Sequence, residues 1–162
     1  MPEVKLDQST RKTVNFSDPS RLQVPELDDK LYYLPDATNF ALVDSFMVDI
    51  DYLRGSAKLW VFQITKSPLH QGSPKGYPHV RKLISILTNQ LKEKQPPSKI
   101  AKLTSGQSHA TPVVKVKWVL VVLKVEGKPG NWEWQFPPGY DKGWKYNDHR
   151  GKVYCLEISL GP

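Results

Sequence analysis

Cysteine is almost missing from this chain. Among 162 residues only Cys155 carries a thiol, so no internal disulfide can form and nothing points to an oxidising compartment. Long apolar runs are missing too: none approaches the roughly 20 residues of a membrane span, so no membrane partner is expected. The start, Met1-Pro-Glu-Val-Lys5, lacks the apolar core of a signal peptide. Four His and one Cys fall into no regular ligand spacing, which argues against structural zinc. There is no internal repeat and no low-complexity segment. Acidic residues are scarce over one long stretch: residues 54–124 hold thirteen Lys/Arg against the single acid Glu93.

That scarcity is the main feature of the charge distribution. The formal net charge is +7, yet residues 1–53 carry ten acids against five Lys/Arg, and residues 125–162 carry five of each. The excess of cations therefore lies in the middle, where it creates a field that attracts polyanions, as phosphate-binding proteins do. A solubilising lysine surface is the plainer reading. These lysines directly follow the pair of polar strand runs described next, so charge and site are expected to share a face, and nucleic acid, DNA favoured, is the expected partner.

Hydrophobic content of 39% and charged content of 24% are ordinary for a globular chain, and the length suits one domain. Residues 1–29 read as a polar lead-in and residues 30–162 as a single α/β domain. Leu31-Tyr-Tyr-Leu34 reads as a short strand. Asn39-Phe-Ala-Leu-Val-Asp44-Ser-Phe-Met-Val48 and Lys58-Leu-Trp-Val-Phe-Gln63-Ile-Thr-Lys66 read as two more, joined by turn residues ending Arg54-Gly55-Ser56. A Gly/Pro-rich loop, 67–78, follows. Val80, Leu83, Ile84, Leu87 and Leu91 then recur at helical spacing until Gln95-Pro-Pro97. Val113–Val125 is the longest strand candidate, and Lys152–Ser159 the last. The order β-β-β-α-β-β predicts a mixed sheet flanked by a helix.

Each of the two central runs places a polar side chain in an apolar strand, where burial demands a hydrogen-bond partner or a metal. If the hairpin register allows, Asp44 sits beside Gln63, with Thr65 on the same strand face as Gln63 and Ile64 and Lys66 on the other. Asp44, Gln63 and the Ile64 carbonyl would then offer oxygen ligands to Mg2+, which activates water in phosphodiester cleavage. Glu26 or Asp36 are the acids that would complete such a cage. Lys66, His70 and Lys75 would contact phosphate, as would Arg81 and Lys82 on the helix and Lys115 and Lys117 on the long strand. The duller readings are an Asp44 that caps a turn or pairs with a buried Lys or Arg, a Gln63 and a Thr65 bonded to backbone at a sheet end, and an exposed His70. Trp132, Trp134 and Trp144 would stack on bases or pack beneath a loop.

The pattern Leu31-Tyr-Tyr-Leu-Pro, Asn39-Phe-Ala-Leu-Val-Asp44-Ser-Phe, Leu59-Trp-Val-Phe-Gln63-Ile-Thr65-Lys-Ser-Pro-Leu-His70 resembles the C-terminal domain of Crinkler effectors and retrotransposon hot spot proteins. Val119-Leu-Val-Val122 and Gln135-Phe136 are similar as well. The resemblance covers about residues 31–160 and is specific over about 39–70. It implies a divergent restriction-endonuclease-like sandwich of the PD-(D/E)XK type, with the metal-binding Asp at Asp44 and the (D/E/Q)-x-K strand at Gln63-Ile64-Thr65. Thr65 stands where an active member carries Lys, and Lys66 belongs to the opposite strand face. The family context implies action in a nucleus, a host's if the protein is a secreted effector. Three functions follow: a magnesium-dependent nuclease, a catalytically inactive nuclease-like domain that grips nucleic acid, or a module that binds a host or cellular protein through Trp132–Tyr140.

Overall fold

The computed structural model describes residues 12–17, 26–36, 43–65, 69–70, 75–94, 96, 111–123, 133–134 and 152–158. Eight strands and one helix follow one another in these residues: β1 (Lys12–Phe16), β2 (Leu31–Pro35), β3 (Ser45–Asp51), β4 (Ser56–Thr65), β5 (Leu69–His70), α1 (Tyr77–Lys94), β6 (Val113–Leu123), β7 (Glu133–Trp134) and β8 (Lys152–Ile158). Six of the strands form one sheet in the order β1-β2-β3-β4-β6-β8, and β5 and β7 pair separately. The sheet is mixed, as expected: β2, β3 and β4 are antiparallel neighbours, whereas β1–β2, β4–β6 and β6–β8 are parallel. The parallel step from β4 to β6 requires a crossover, and α1 lies in it.

The hairpin is tighter than its sequence suggests. β3 runs on through Asp49-Ile50-Asp51, leaving Tyr52–Gly55 as the turn. Gly55 takes a positive φ of 60°, which a side-chain-bearing residue adopts only at a cost, and Asp51 Oδ1 accepts the Arg54 N–H at 3.0 Å. The pairing then runs from Asp51↔Ser56 to Ser45↔Phe62 without a slip.

Alternation along β4 separates two faces. Ala57, Leu59, Val61 and Gln63 are buried toward one, whereas Lys58 and Ile64 are exposed on the other. On the first face Val80, Leu83, Leu87 and Leu91 of α1 pack over Val48, Leu59, Val61, Val116 and Trp118, all fully buried. This confirms the predicted stripe; Pro78 sits in the first helical turn, where its missing N–H costs nothing. The helix begins at Tyr77, whose ring meets Trp118 edge-on at 5.8 Å, and ends near Tyr52, over whose ring Lys94 Nζ lies at 5.8 Å. It therefore runs back along β4, from the Gln63 end to the hairpin turn.

The lead-in is more than a polar preface. Val14 and Phe16 of β1 join the core, and Phe16 packs on Phe46 with ring centroids 5.5 Å apart. Leu27 is 2% exposed and is held by Gln90: the Gln90 amide oxygen accepts the Leu27 N–H at 2.9 Å, and its nitrogen donates to the Leu27 carbonyl at 2.8 Å. No helix among the described residues is long and apolar enough to cross a membrane.

Candidate functional site

The predicted neighbours meet. Asp44 stands just before β3, and its carboxylate Oδ2 accepts the Gln63 side-chain N–H at 2.7 Å and the Ile64 backbone N–H at 2.5 Å. The local backbone explains the geometry. The Asp44 N–H donates to the Phe62 carbonyl at 3.0 Å, although Phe62 is already the register partner of Ser45. Pairing thus stops one residue short, and the carboxylate takes the place of the strand carbonyl that the Ile64 amide would have met. Asp44 ends the hairpin and holds Gln63 with one oxygen.

Gln63 is 9% exposed, and its Oε1 is buried with no hydrogen-bond partner among the described residues. A buried carbonyl oxygen left without a donor costs about 1–3 kcal/mol. An acceptor of this kind beside a carboxylate is chemically suited to a hard cation, which takes oxygen ligands and needs no donor. Thr65, half-buried, follows two positions along the same strand face. The Ile64 side chain points away and is 60% exposed, so only its backbone belongs to the site.

The surroundings are cationic. The first turn of α1 contains no acid, and the partial positive charge of its N-terminus lies at the Gln63 end of the sheet, because Tyr77 packs on Trp118, the register neighbour of Val61. Lys75 just before the helix and Arg81 and Lys82 on it are exposed. Of the acids considered for completing a cage, Glu26 is ion-paired with Lys94 at the far end of α1, away from Asp44. Asp36 follows β2 and is tied by its N–H to the Phe16 carbonyl at 2.7 Å. Among the described residues no three His, Cys, Asp or Glu side chains gather as a metal cluster.

The expectation that all the basic residues share a face with Asp44 and Gln63 does not hold. Lys115 and Lys117 alternate with buried Val114, Val116 and Trp118, so they project from the opposite face, as Lys58 does. The period-two pattern contained this separation; charge counted over a whole segment hid it. His70 forms part of β5, paired with Trp134 of β7, where a loop was expected. Asn39, Lys66, Trp132 and Trp144 lie outside the described residues.

Two polar arrangements carried no signal in the sequence. Tyr32 and Ser45 share a hydroxyl–hydroxyl hydrogen bond on the face away from α1. On that same face the Trp60 indole N–H donates to Asp49 Oδ2 at 2.8 Å. Both depend on cross-strand register, which single residues do not reveal. In comparisons with family models, curated proteins and solved structures, nothing matches this chain.

Proposed function

We propose that this chain is a Crinkler-type, nuclease-like domain of restriction-endonuclease-like fold that binds nucleic acid, DNA favoured, and cleaves it with a divalent cation held at Asp44. The observation that carries this reading is the contact between Asp44 and Gln63, with Gln63 Oε1 left buried and unpartnered among the described residues. The donors suit magnesium: the Asp44 carboxylate, the Gln63 amide oxygen and the Ile64 carbonyl are all hard oxygens. Bound there, the cation supplies charge neutralisation and an activated water for phosphodiester hydrolysis.

The chain's own residues do the rest. Asp44 provides the fixed negative charge, and the Ile64 N–H keeps its carboxylate in one orientation. The N-terminus of α1 and the exposed Lys75, Arg81 and Lys82 draw phosphate to this end of the sheet. Thr65 offers a hydroxyl where a lysine ammonium would orient the attacking water and balance the developing charge, so turnover is slow. The place of action is a nucleus, a host's if the protein is a secreted effector. A second reading is favoured by this same threonine: a domain that grips nucleic acid, or a host protein, without cutting.

Cleavage of plasmid and single-stranded DNA with magnesium or manganese, run beside Asp44→Ala, separates the two. Metal-dependent cutting lost in the variant supports the nuclease. Equal or absent cutting with retained, salt-sensitive binding supports the second reading. Absence of both cutting and binding overturns the nucleic-acid assignment altogether.

A further inference from the structure

The sheet has a second face, remote from α1, that the proposed nuclease site does not use. Its described side chains form rows across β4, β6 and β8. Lys58 faces Lys115 in register, Trp60 faces Lys117, and Phe62 faces Val119, whose partner on β8 is Tyr154. Trp60 and Tyr154, both half-buried, lie with ring centroids 5.8 Å apart on either side of the β6 row. Lys117 Nζ sits 5.7 Å from the centre of the Tyr154 ring. Phe62, Val119 and Val121 form a small apolar floor against which Trp60, Tyr154, Tyr32 and Met47 pack.

The charge on this face is cationic but not uniformly so. Lys58, Lys115 and Lys117 are accompanied by Asp49 and Asp51 of β3. Both acids are engaged: Asp49 accepts the Trp60 indole N–H, and Asp51 pairs with Arg54 at 3.7 Å. The first of these bonds has a use, because it pins the indole by its edge. An aromatic ring whose orientation is already set loses little freedom on binding.

We infer that this face is a stacking platform for single-stranded nucleic acid, on which Trp60 and Tyr154 receive bases while Lys58, Lys115 and Lys117 contact phosphates. The inference rests on the reading of the chain as a nucleic-acid-binding domain and assigns it a substrate class: strands whose bases are free to stack. Three features together select this occupant. Aromatic rings on the two strands that flank β6 in an open sheet offer flat apolar surface in the manner of known single-strand binders. Lysines interleaved with them complement a phosphodiester backbone. A duplex keeps its bases stacked inside and presents only its charge, so the rings would gain nothing from it.

The experiment is fluorescence anisotropy of the full chain with a labelled oligothymidylate of about 20 nucleotides and with a duplex of equal length, across a salt series. The single strand is expected to bind at least about tenfold tighter. Tyr154→Leu and Trp60→Leu are each expected to weaken it by about tenfold with the salt slope unchanged. Replacing Lys115 and Lys117 together by Gln is expected to lower that slope by about 1.4. Trp60→Phe, which keeps a ring, is the folding control, and Tyr154 carries the test if Trp60→Leu does not fold. Binding that survives these changes but disappears when Lys75, Arg81 and Lys82 become Gln overturns the platform and leaves the nucleic-acid reading standing. Failure to bind any nucleic acid overturns both.

Discussion

At the residue scale, Asp44 and Gln63 have opposite thermodynamic roles although they touch. Asp44 satisfies two donors, so Asp44→Ala leaves the Ile64 N–H and the Gln63 amide without their acceptor. A loss of about 1–3 kcal/mol in denaturant unfolding is expected. Gln63 instead keeps an unpaired buried oxygen. Gln63→Met removes that orphan together with the N–H donated to Asp44, two changes of opposite sign, and is expected to be neutral within about 1 kcal/mol in the absence of divalent cations. Added magnesium should raise the melting temperature of the wild-type chain and not that of this variant; an equal rise in both would refute cation binding at Gln63. Thr65→Lys, on the same strand face, is expected to raise metal-dependent cleavage by about a hundredfold, read as the single-turnover rate. The juxtaposition of Asp44 with Gln63 was legible in the sequence because both interrupt apolar strands at positions that a short hairpin aligns. The orphaned oxygen was not legible, since it depends on which way one amide is turned.

At the element scale, α1 is the clearest case of legibility and also of its limit. Val80, Leu83, Leu87 and Leu91 announce a buried stripe by spacing alone. Gln90 lies beside that stripe, 4% exposed, and reads as an ordinary polar helix position. In the fold it binds both backbone groups of Leu27 and donates to the Tyr52 hydroxyl at 2.7 Å. One side chain thus joins the helix, the segment before β2 and the hairpin turn. Gln90→Leu would strand a buried N–H and a buried carbonyl, and a loss of about 2–4 kcal/mol is expected in chemical denaturation. Leu87→Ala, a simple truncation in the same helix, should cost a similar 2–5 kcal/mol, roughly, by leaving a cavity. β1 shows the opposite difficulty. Lys12-Thr-Val-Asn-Phe16 has only two inward residues, too few to distinguish a strand from a polar segment before β2 supplies the pairing.

On the scale of the whole molecule, two groups make stability sensitive to alkali. Burial raises the pKa of Tyr33, whose ring stacks on Phe46 at 4.5 Å and whose hydroxyl oxygen accepts the Asp28 N–H. The hydrogen bond with Glu26 raises that of exposed Lys94. For both, the folded chain holds its proton more firmly than the unfolded chain does. Their contribution is full below about pH 10 and is lost as pH rises through the folded values. Denaturation midpoints measured from about pH 8 to about pH 11 should fall at the alkaline end, and Tyr33→Phe should make that fall shallower. The order of strand-like and helical runs foretold the mixed α/β architecture but not this coupling, which arises only where α1 and β2 enclose the segment around Leu27. The parallel pairing of β4 with β6 has a further consequence in time. β3 and β4 meet across a turn of four residues, Tyr52–Gly55, whereas Ser56 must wait for Val113. The hairpin can close quickly on its own, but closing the distant pair is slow because a long loop must be ordered first. During that interval one whole margin of β4, apolar from Leu59 to Phe62, stands open to other chains. Refolding yield should therefore decline as protein concentration rises, even though the finished sheet encloses that strand on both sides.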